Sequence, residues 1–182
     1  MQLTSKEITL KGGTRCLLRP PLPEDAKQFL FLMKTTAAET VFMLRYPEEI
    51  TLTVEEERDF LQKNLDAPRS GFLSARVDGR LVGNASFTPV GPHLKVLHRA
   101  AFGIVIVKEY WGCGLGEVLT KEILLAAKSA GYEQLELEVV ADNARAIKLY
   151  KKCGFVRYGT RPNAFLYKDG GYSDEHLMVR KL

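Results

Sequence analysis

A chain of 182 residues with 46% hydrophobic side chains is about one domain's worth of sequence and can bury a real core, which excludes intrinsic disorder. Its 26 basic and 22 acidic side chains leave a net +4, and the excess lies in the second half: residues 1–91 hold 12 of each sign, residues 92–182 hold 14 basic and 10 acidic. With no Lys/Arg cluster beyond Lys151-Lys152, that surplus argues against nucleic acid as a partner and suits a small anionic ligand held by the C-terminal half.

In chain order, residues 14–19 read as a strand that Pro21 and Pro23 stop. Glu24 and Asp25 then open a helix carrying Ala26, Phe29, Leu30 and Met33 on one stripe. An irregular stretch, residues 35–51, leads to a second helix, capped by Thr53 with Glu56 and running to about Asn64. Residues 71–77 and 81–88 flank Asp78-Gly79, a hairpin pair. Residues 100–107 are apolar throughout apart from Gly103, as a strand buried on both faces would be. A helix follows with Leu115, Leu119, Ile123, Ala126 and Ala130 on one face and Gly131 as its stop. Residues 135–140 form another strand; Asp142-Asn143 caps a helix sharing Ala146, Tyr150 and Cys153, ended by Gly154. Residues 155–160 and 177–181 close the chain as strands, with Gly170 to Glu175 as a turn between. Strands and helices mixed in this order give an α/β (α+β) class with a mixed sheet. There is no repeat and no linker, so residues 1–182 read as a single domain.

Two segments carry chemistry. Gly112, Gly114 and Gly116 lie between a buried strand and the first turn of an amphipathic helix, where backbone N–H groups and the helix dipole favour a phosphate. A tight turn without ligand is the plain alternative. Glu117-Val118 after Gly116 excludes the Lys-Ser/Thr of a nucleoside triphosphate loop, and the glycine spacing is one residue too short for the dinucleotide fingerprint, although Glu136 sits where a ribose contact would fall. The second segment is Asn143-Ala144-Arg145-Ala146-Ile147-Lys148-Leu149-Tyr150-Lys151-Lys152-Cys153-Gly154-Phe155, directly after a strand.

Together these segments resemble the GCN5-related N-acetyltransferases. The glycine loop is similar to the family's acetyl-CoA pyrophosphate loop, and Asn143 to Phe155 to its N-x-x-A-x-x-x-Y-x-x-x-G-F segment. Arg19-Pro20 with Glu24-Asp25-Ala26 resembles the entry of the ribosomal-protein-acetylase-like branch. The resemblance implies a mixed, centrally splayed β-sheet flanked by helices, with the pantetheine arm of acetyl-CoA between residues 100–107 and 135–140. It implies cofactor contacts from Ile106, Val107, Trp111, Gly112, Cys113, Gly114, Leu115, Gly116, Asn143 and Ala146. Trp111 stands where the family's loop often begins with Gln or Arg, and Ala101 where several relatives place a carboxylate as general base.

Acyl transfer from a thioester to an amine needs a neutral amine, a stabilised oxyanion and a proton for the departing thiolate. Tyr150, a phenol with pKa about 10, is the expected proton donor. His98 and Glu39 are the candidate bases, beside a water chain to solvent. Arg45, Tyr46, Phe42 and Met43 would shape the acceptor side, and Asp174 could hold a cationic substrate. Cys113, facing pyrophosphate, is misplaced for an acyl-enzyme, so direct transfer in a ternary complex is expected. The activity implied is acetylation of a primary amine, a small molecule or a protein N-terminus, by a monomer or homodimer. A non-catalytic acyl-CoA-binding sensor and a dinucleotide-dependent oxidoreductase stand as rivals. The longest apolar run is eight residues, against roughly 18 or more for a membrane helix, and residues 1–15 lack a signal pattern, so a cytoplasmic location with no membrane partner is expected. Cys16, Cys113 and Cys153, widely spaced and without CxxC, read as free thiols with no metal.

Overall fold

A computed structural model describes residues 3–182. Eight strands form one sheet in the order β1-β2-β3-β4-β5-β6-β8-β7. They are β1 (Lys6–Thr9), β2 (Arg15–Arg19), β3 (Gly71–Val77), β4 (Arg80–Pro89), β5 (Arg99–Ile106), β6 (Gln134–Val140), β7 (Val156–Leu166) and β8 (Tyr172–Lys181). The helices are α1 (Ala26–Glu39), α2 (Val54–Asp66), α3 (Leu115–Ser129) and α4 (Ala144–Lys152). Every strand pairing is antiparallel except β5 with β6.

That exception creates the site. The parallel pair is in register only from Arg99–Gln134 to Ala101–Glu136. Beyond it, β5 stays hydrogen-bonded to β4 as far as Ile106, and β6 stays with β8 as far as Val140, so the sheet splits between its central strands. Arg99 clamps the junction by donating from Nε to Glu136 Oε1 at 2.6 Å and from Nη2 to Oε2 at 2.7 Å.

Side-chain alternation assigns the two faces. On β3, Arg76 meets Asp25 and Gln28, and Phe72 packs edge-on against Phe60 of α2 with ring centroids 5.8 Å apart. Leu73, Ala75 and Val77 alternate to the opposite face, where α3 packs with Leu115, Leu119 and Ile123 fully buried. Several expected boundaries move, and the strand expected over residues 155–160 runs on to Leu166, where it pairs with β8. The stretch expected to be irregular from residue 35 is helical to Glu39, because the Thr36 hydroxyl donates to the carbonyls of Leu32 (2.9 Å) and Met33 (3.1 Å) and, with Ala37, turns into the core. Residues 172–175, expected in a turn, belong to β8, since Tyr172 and Ser173 pair with Leu166 and Phe165. The reversal is confined to residues 167–171, closed by Tyr167 N–H to the Gly171 carbonyl with Gly170 at φ 85°. Strand β1, not expected at all, is a short edge strand on which only Ile8 is partly covered.

Asp25 ties the first face together. Its carboxylate accepts from Arg19 at 2.7 Å, from Arg76 at 3.0 Å and from the Leu22 N–H at 2.9 Å, with only 4% of the residue exposed. Burial opposes the charge, but the two guanidiniums and the N–H prevail and hold the carboxyl below its ordinary range. Removing it strands the Arg76 guanidinium, which already has Nη1 unpartnered among the described residues. Asp25→Ala is expected to cost about 3 kcal/mol in urea unfolding. A depressed folded-state pKa means that this contribution is full above the unfolded value of about 3.9 and fades as pH falls through the folded value. The variant should therefore lose its deficit relative to wild type in strong acid.

Candidate active site

The loop from β5 to α3 is built by its own backbone. A 3-10 turn, Lys108–Tyr110, is followed by Gly112 and Gly114 in left-handed conformations, φ 81° and 92°. A Cβ added at Gly112 would meet nothing within 4 Å, and one at Gly114 only the Lys11 side chain at 3.8 Å. The backbone is thus uncovered where the first-turn N–H groups of α3, which have no helical partners, open outward. Gly116 has a different job. A Cβ there would lie 3.0 Å from Leu149 Cδ2 and 3.5 Å from Ile106 Cδ1, so it lets α3 and α4 approach.

The indole Nε1 of Trp111 donates to the Ile106 carbonyl at 2.8 Å, and the Arg145 guanidinium stacks 4.8 Å above its ring. Cys113 Sγ donates to the Tyr110 carbonyl at 3.0 Å, while its own carbonyl accepts from Lys11 N–H at 3.0 Å. Lys11, in the β1–β2 turn, is thereby fixed over Gly114, a position that local sequence could not reveal. Lys152 of α4 bonds Glu117 Oε2 at 2.6 Å, a tie between α3 and α4, and Lys121, one turn along α3, bonds Oε1 at 2.8 Å; together they pull the Glu117 carboxyl down to about 2.

A cleft of about 1100 Å³ follows the split between β5 and β6. Of the expected cofactor contacts, Ile106, Trp111, Gly112, Gly114, Gly116, Asn143 and Ala146 line it. Val107, Cys113 and Leu115 do not: Val107 and Leu115 are buried in the core and Cys113 turns back on its own loop. Asn143 Oδ1 caps α4 by accepting from Ala146 N–H at 3.1 Å. Tyr150 lines the cleft with its ring packed against Phe102 and Phe155, centroids 6.0 and 5.9 Å away. Among the described residues its hydroxyl makes no hydrogen bond, and burial pushes the phenol well above its ordinary pKa.

On the α1/α2 face the cleft is walled by Phe42 and Met43, as expected, and by a carboxylate group that the sequence reading missed. Arg161 Nη2 donates to Glu138 Oε1 at 3.2 Å, and Nη1 bonds Glu175 Oε2. Glu175 is 6% exposed; burial, and then the charge of Glu138, raise its carboxyl above the ordinary value. Alternation of Glu136 and Glu138 with Leu135, Leu137 and Val139 was the available signal. The two candidate bases lie elsewhere. Glu39 is spent accepting from Lys108 N–H at 2.7 Å, and His98, on the approach to β5, lines no part of the cleft. Asp174 accepts from Asn163 N–H at 2.9 Å outside the cleft, and Tyr46 packs against Lys168 instead. Arg45 lines a second, smaller pocket.

The cleft passes through the split in the sheet, from the uncovered N-terminus of α3 to the carboxylate cluster on the other face. Residues 37–155 match the model of the Acetyltransferase (GNAT) family, and the chain belongs to that family of acetyl-CoA-using N-acetyltransferases. It is 32% identical over 133 residues to the L-amino acid N-acetyltransferase AaaT of Escherichia coli K12, covering 71% of this chain and 81% of that one. A GNAT-family acetyltransferase structure from Streptococcus pneumoniae superposes with a TM-score of 0.88 at 31% identity, covering 92% and 99% of the two chains. The fold is shared with yncA of Salmonella typhimurium, solved with its cofactor acetyl-CoA, at TM-score 0.81 and 17% identity over 92% and 94% of the chains. Among the described residues no helix is long and apolar enough to cross a membrane.

Proposed function

We propose that residues 1–182 act as one unit that transfers the acetyl group of acetyl-CoA directly to a primary amine, a small molecule or a protein N-terminus, in the cytoplasm. The observation that carries this reading is the cleft itself, which runs from an uncovered helix N-terminus, past Tyr150, to a carboxylate cluster on the other face of the sheet. The phosphates lie against the loop backbone, with Lys11 and Arg145 at hand for their charge; the pantetheine arm fills the split. Once neutral, the amine nitrogen attacks the thioester carbonyl, the adduct loses the nitrogen's remaining extra proton to water, the C–S bond breaks, and the thiolate takes the proton of Tyr150 Oη, which water then restores. The ammonium has first to lose a proton, and Glu175, held by Arg161 beside Glu138, is the acceptor. Cys113 plays no covalent part, because its sulfur points into its own loop.

A raised carboxyl pKa matches that task, since the base is then poised closer to the working pH. kcat/KM should rise with pH as Glu175 loses its proton, and Glu175→Gln should lower it by about 10²-fold and erase that limb of the profile. Thiol release from acetyl-CoA across an amine panel, followed against pH for both proteins, is the test. An unchanged profile in the variant removes Glu175 from the reaction, and no thiol release with any amine removes the transferase reading.

A further inference from the structure

A second cavity of about 280 Å³ lies on the α1/α2 face, over β4 and β5. Its walls are mostly apolar, from Phe29 and Met33 of α1, Phe60 of α2 and Phe72 of β3. Into this setting α2 delivers Glu57, 3% exposed, whose Oε1 has no hydrogen-bond partner among the described residues. An ionisable oxygen held in an apolar pocket without a donor is costly unless a ligand supplies one. The amphipathic pattern of α2 gives no structural reason for it: Leu61 is the apolar residue one turn on that completes the buried stripe, and an apolar side chain at position 57 would extend it. Arg45, the other charged residue of the lining, is exposed at the rim and forms no ion pair with Glu57.

The pocket is not isolated. Gly103, Ile104 and Val105 of β5 line both it and the acetyl-transfer cleft. Gly103 is exposed, and having no side chain it leaves the shared wall low. The two sites therefore share one wall, and a short aliphatic chain crossing at Gly103 would connect them.

We propose that the Glu57 pocket binds an alkylammonium group, and that this group is the second amine of the acceptor, so that the acceptor class is an aliphatic diamine acetylated at the amine that reaches the cleft. The ammonium supplies the donor that Glu57 Oε1 lacks, and the rings of Phe29, Phe60 and Phe72 cover its methylenes. Burial raises the Glu57 carboxyl above its ordinary range, with Arg45 pulling the other way, and an ammonium at Oε1 would favour the carboxylate further. The choice of reacting partner rests on the acetyl-transfer reading; the pocket's preference for an ammonium does not.

The experiment has two arms. In the first, acetyl-CoA-dependent thiol release is measured with cadaverine and with n-pentylamine, which differ only in the second amine. Wild type should show a KM at least about tenfold lower for cadaverine, and Glu57→Gln, nearly the same in shape, should abolish that preference. In the second, cadaverine is titrated calorimetrically into wild type and Glu57→Gln in the presence of saturating CoA, with far-UV circular dichroism establishing that the variant is folded. One equivalent should bind wild type, and binding should weaken by about the same factor in the variant. Equal affinity in the two proteins, or no binding to wild type, overturns the pocket assignment. Should no amine be acetylated, the transferase reading falls while the calorimetric arm still decides what Glu57 binds. Calorimetric binding that depends on Glu57, with no kinetic preference for the diamine, overturns the assignment of the acceptor class.

Discussion

Gly114→Asp is expected to raise the dissociation constant for acetyl-CoA by at least about 100-fold while leaving the fold intact. Any side chain is strained on the left-handed backbone found here, φ 92°, Asp and Asn less than most and alike, and a Cβ at this position meets nothing closer than the flexible Lys11 side chain at 3.8 Å. What changes is charge. A carboxylate standing where the phosphates bind, about 4 Å from one of them, is repelled by about 4 kcal/mol at an effective dielectric constant near 20. That exceeds what a 100-fold loss requires, about 2.7 kcal/mol. Gly114→Asn has the same shape without the charge and should lose far less, so the ratio between the two variants isolates the electrostatic part, and that ratio should shrink in added salt. Gly116→Val belongs to another class, because its side chain would strike Leu149 and lower the melting temperature before it touched any ligand. The measurement is isothermal titration with CoA. Equal affinities for wild type and Gly114→Asp would take the phosphates off this loop.

The same contrast shows what the sequence could reveal. The elements with strong periodicity, such as α3 with Leu115, Leu119 and Ile123 at every fourth position, fall close to their expected bounds because one buried stripe determines them. The helix end near Thr35 is not legible locally, because Thr36 has poor helix propensity and its placement depends on a hydroxyl bonding back to Leu32 and on a core contact that no local pattern reports. Strand β1 went unseen since an edge strand needs no strong apolar alternation.

At the site, the loop and the Asn143–Tyr150 helix were legible as contiguous motifs, whereas the acceptor face was not. Glu138, Arg161 and Glu175 come from three strands, and Glu57 and Gly103 from a helix and a fourth; only the sheet order brings them together. Glu39 and His98 were nominated by chemistry alone, and geometry leaves each of them outside the cleft.

Tyr150→Phe should leave acetyl-CoA affinity within about twofold of wild type and lower kcat by about 10²-fold, the low end for loss of a general acid. The ring is retained, so its edge-on contact with Phe102 and its contact with Phe155 survive, and no hydrogen bond among the described residues is broken by removing the hydroxyl. The hydroxyl is therefore dispensable for the fold and free for the reaction. Burial, which raises the phenol's pKa, keeps the proton on Tyr150 in the resting enzyme, and it passes to the thiolate only as the C–S bond breaks beside it. A thiol also leaves more easily than an alcohol, which keeps the penalty modest and makes it smaller at high pH, where an unprotonated thiolate is a good leaving group in its own right. Since the folded-state phenol stays protonated above its ordinary value, wild type should show no loss of rate near pH 10 from Tyr150 itself. Single-turnover rates for the two proteins with one reactive amine, beside CoA titrations, separate the outcomes. A lower melting temperature or weaker CoA binding with an unchanged single-turnover rate would make Tyr150 a packing residue, and the departing thiolate would then have to take its proton from solvent.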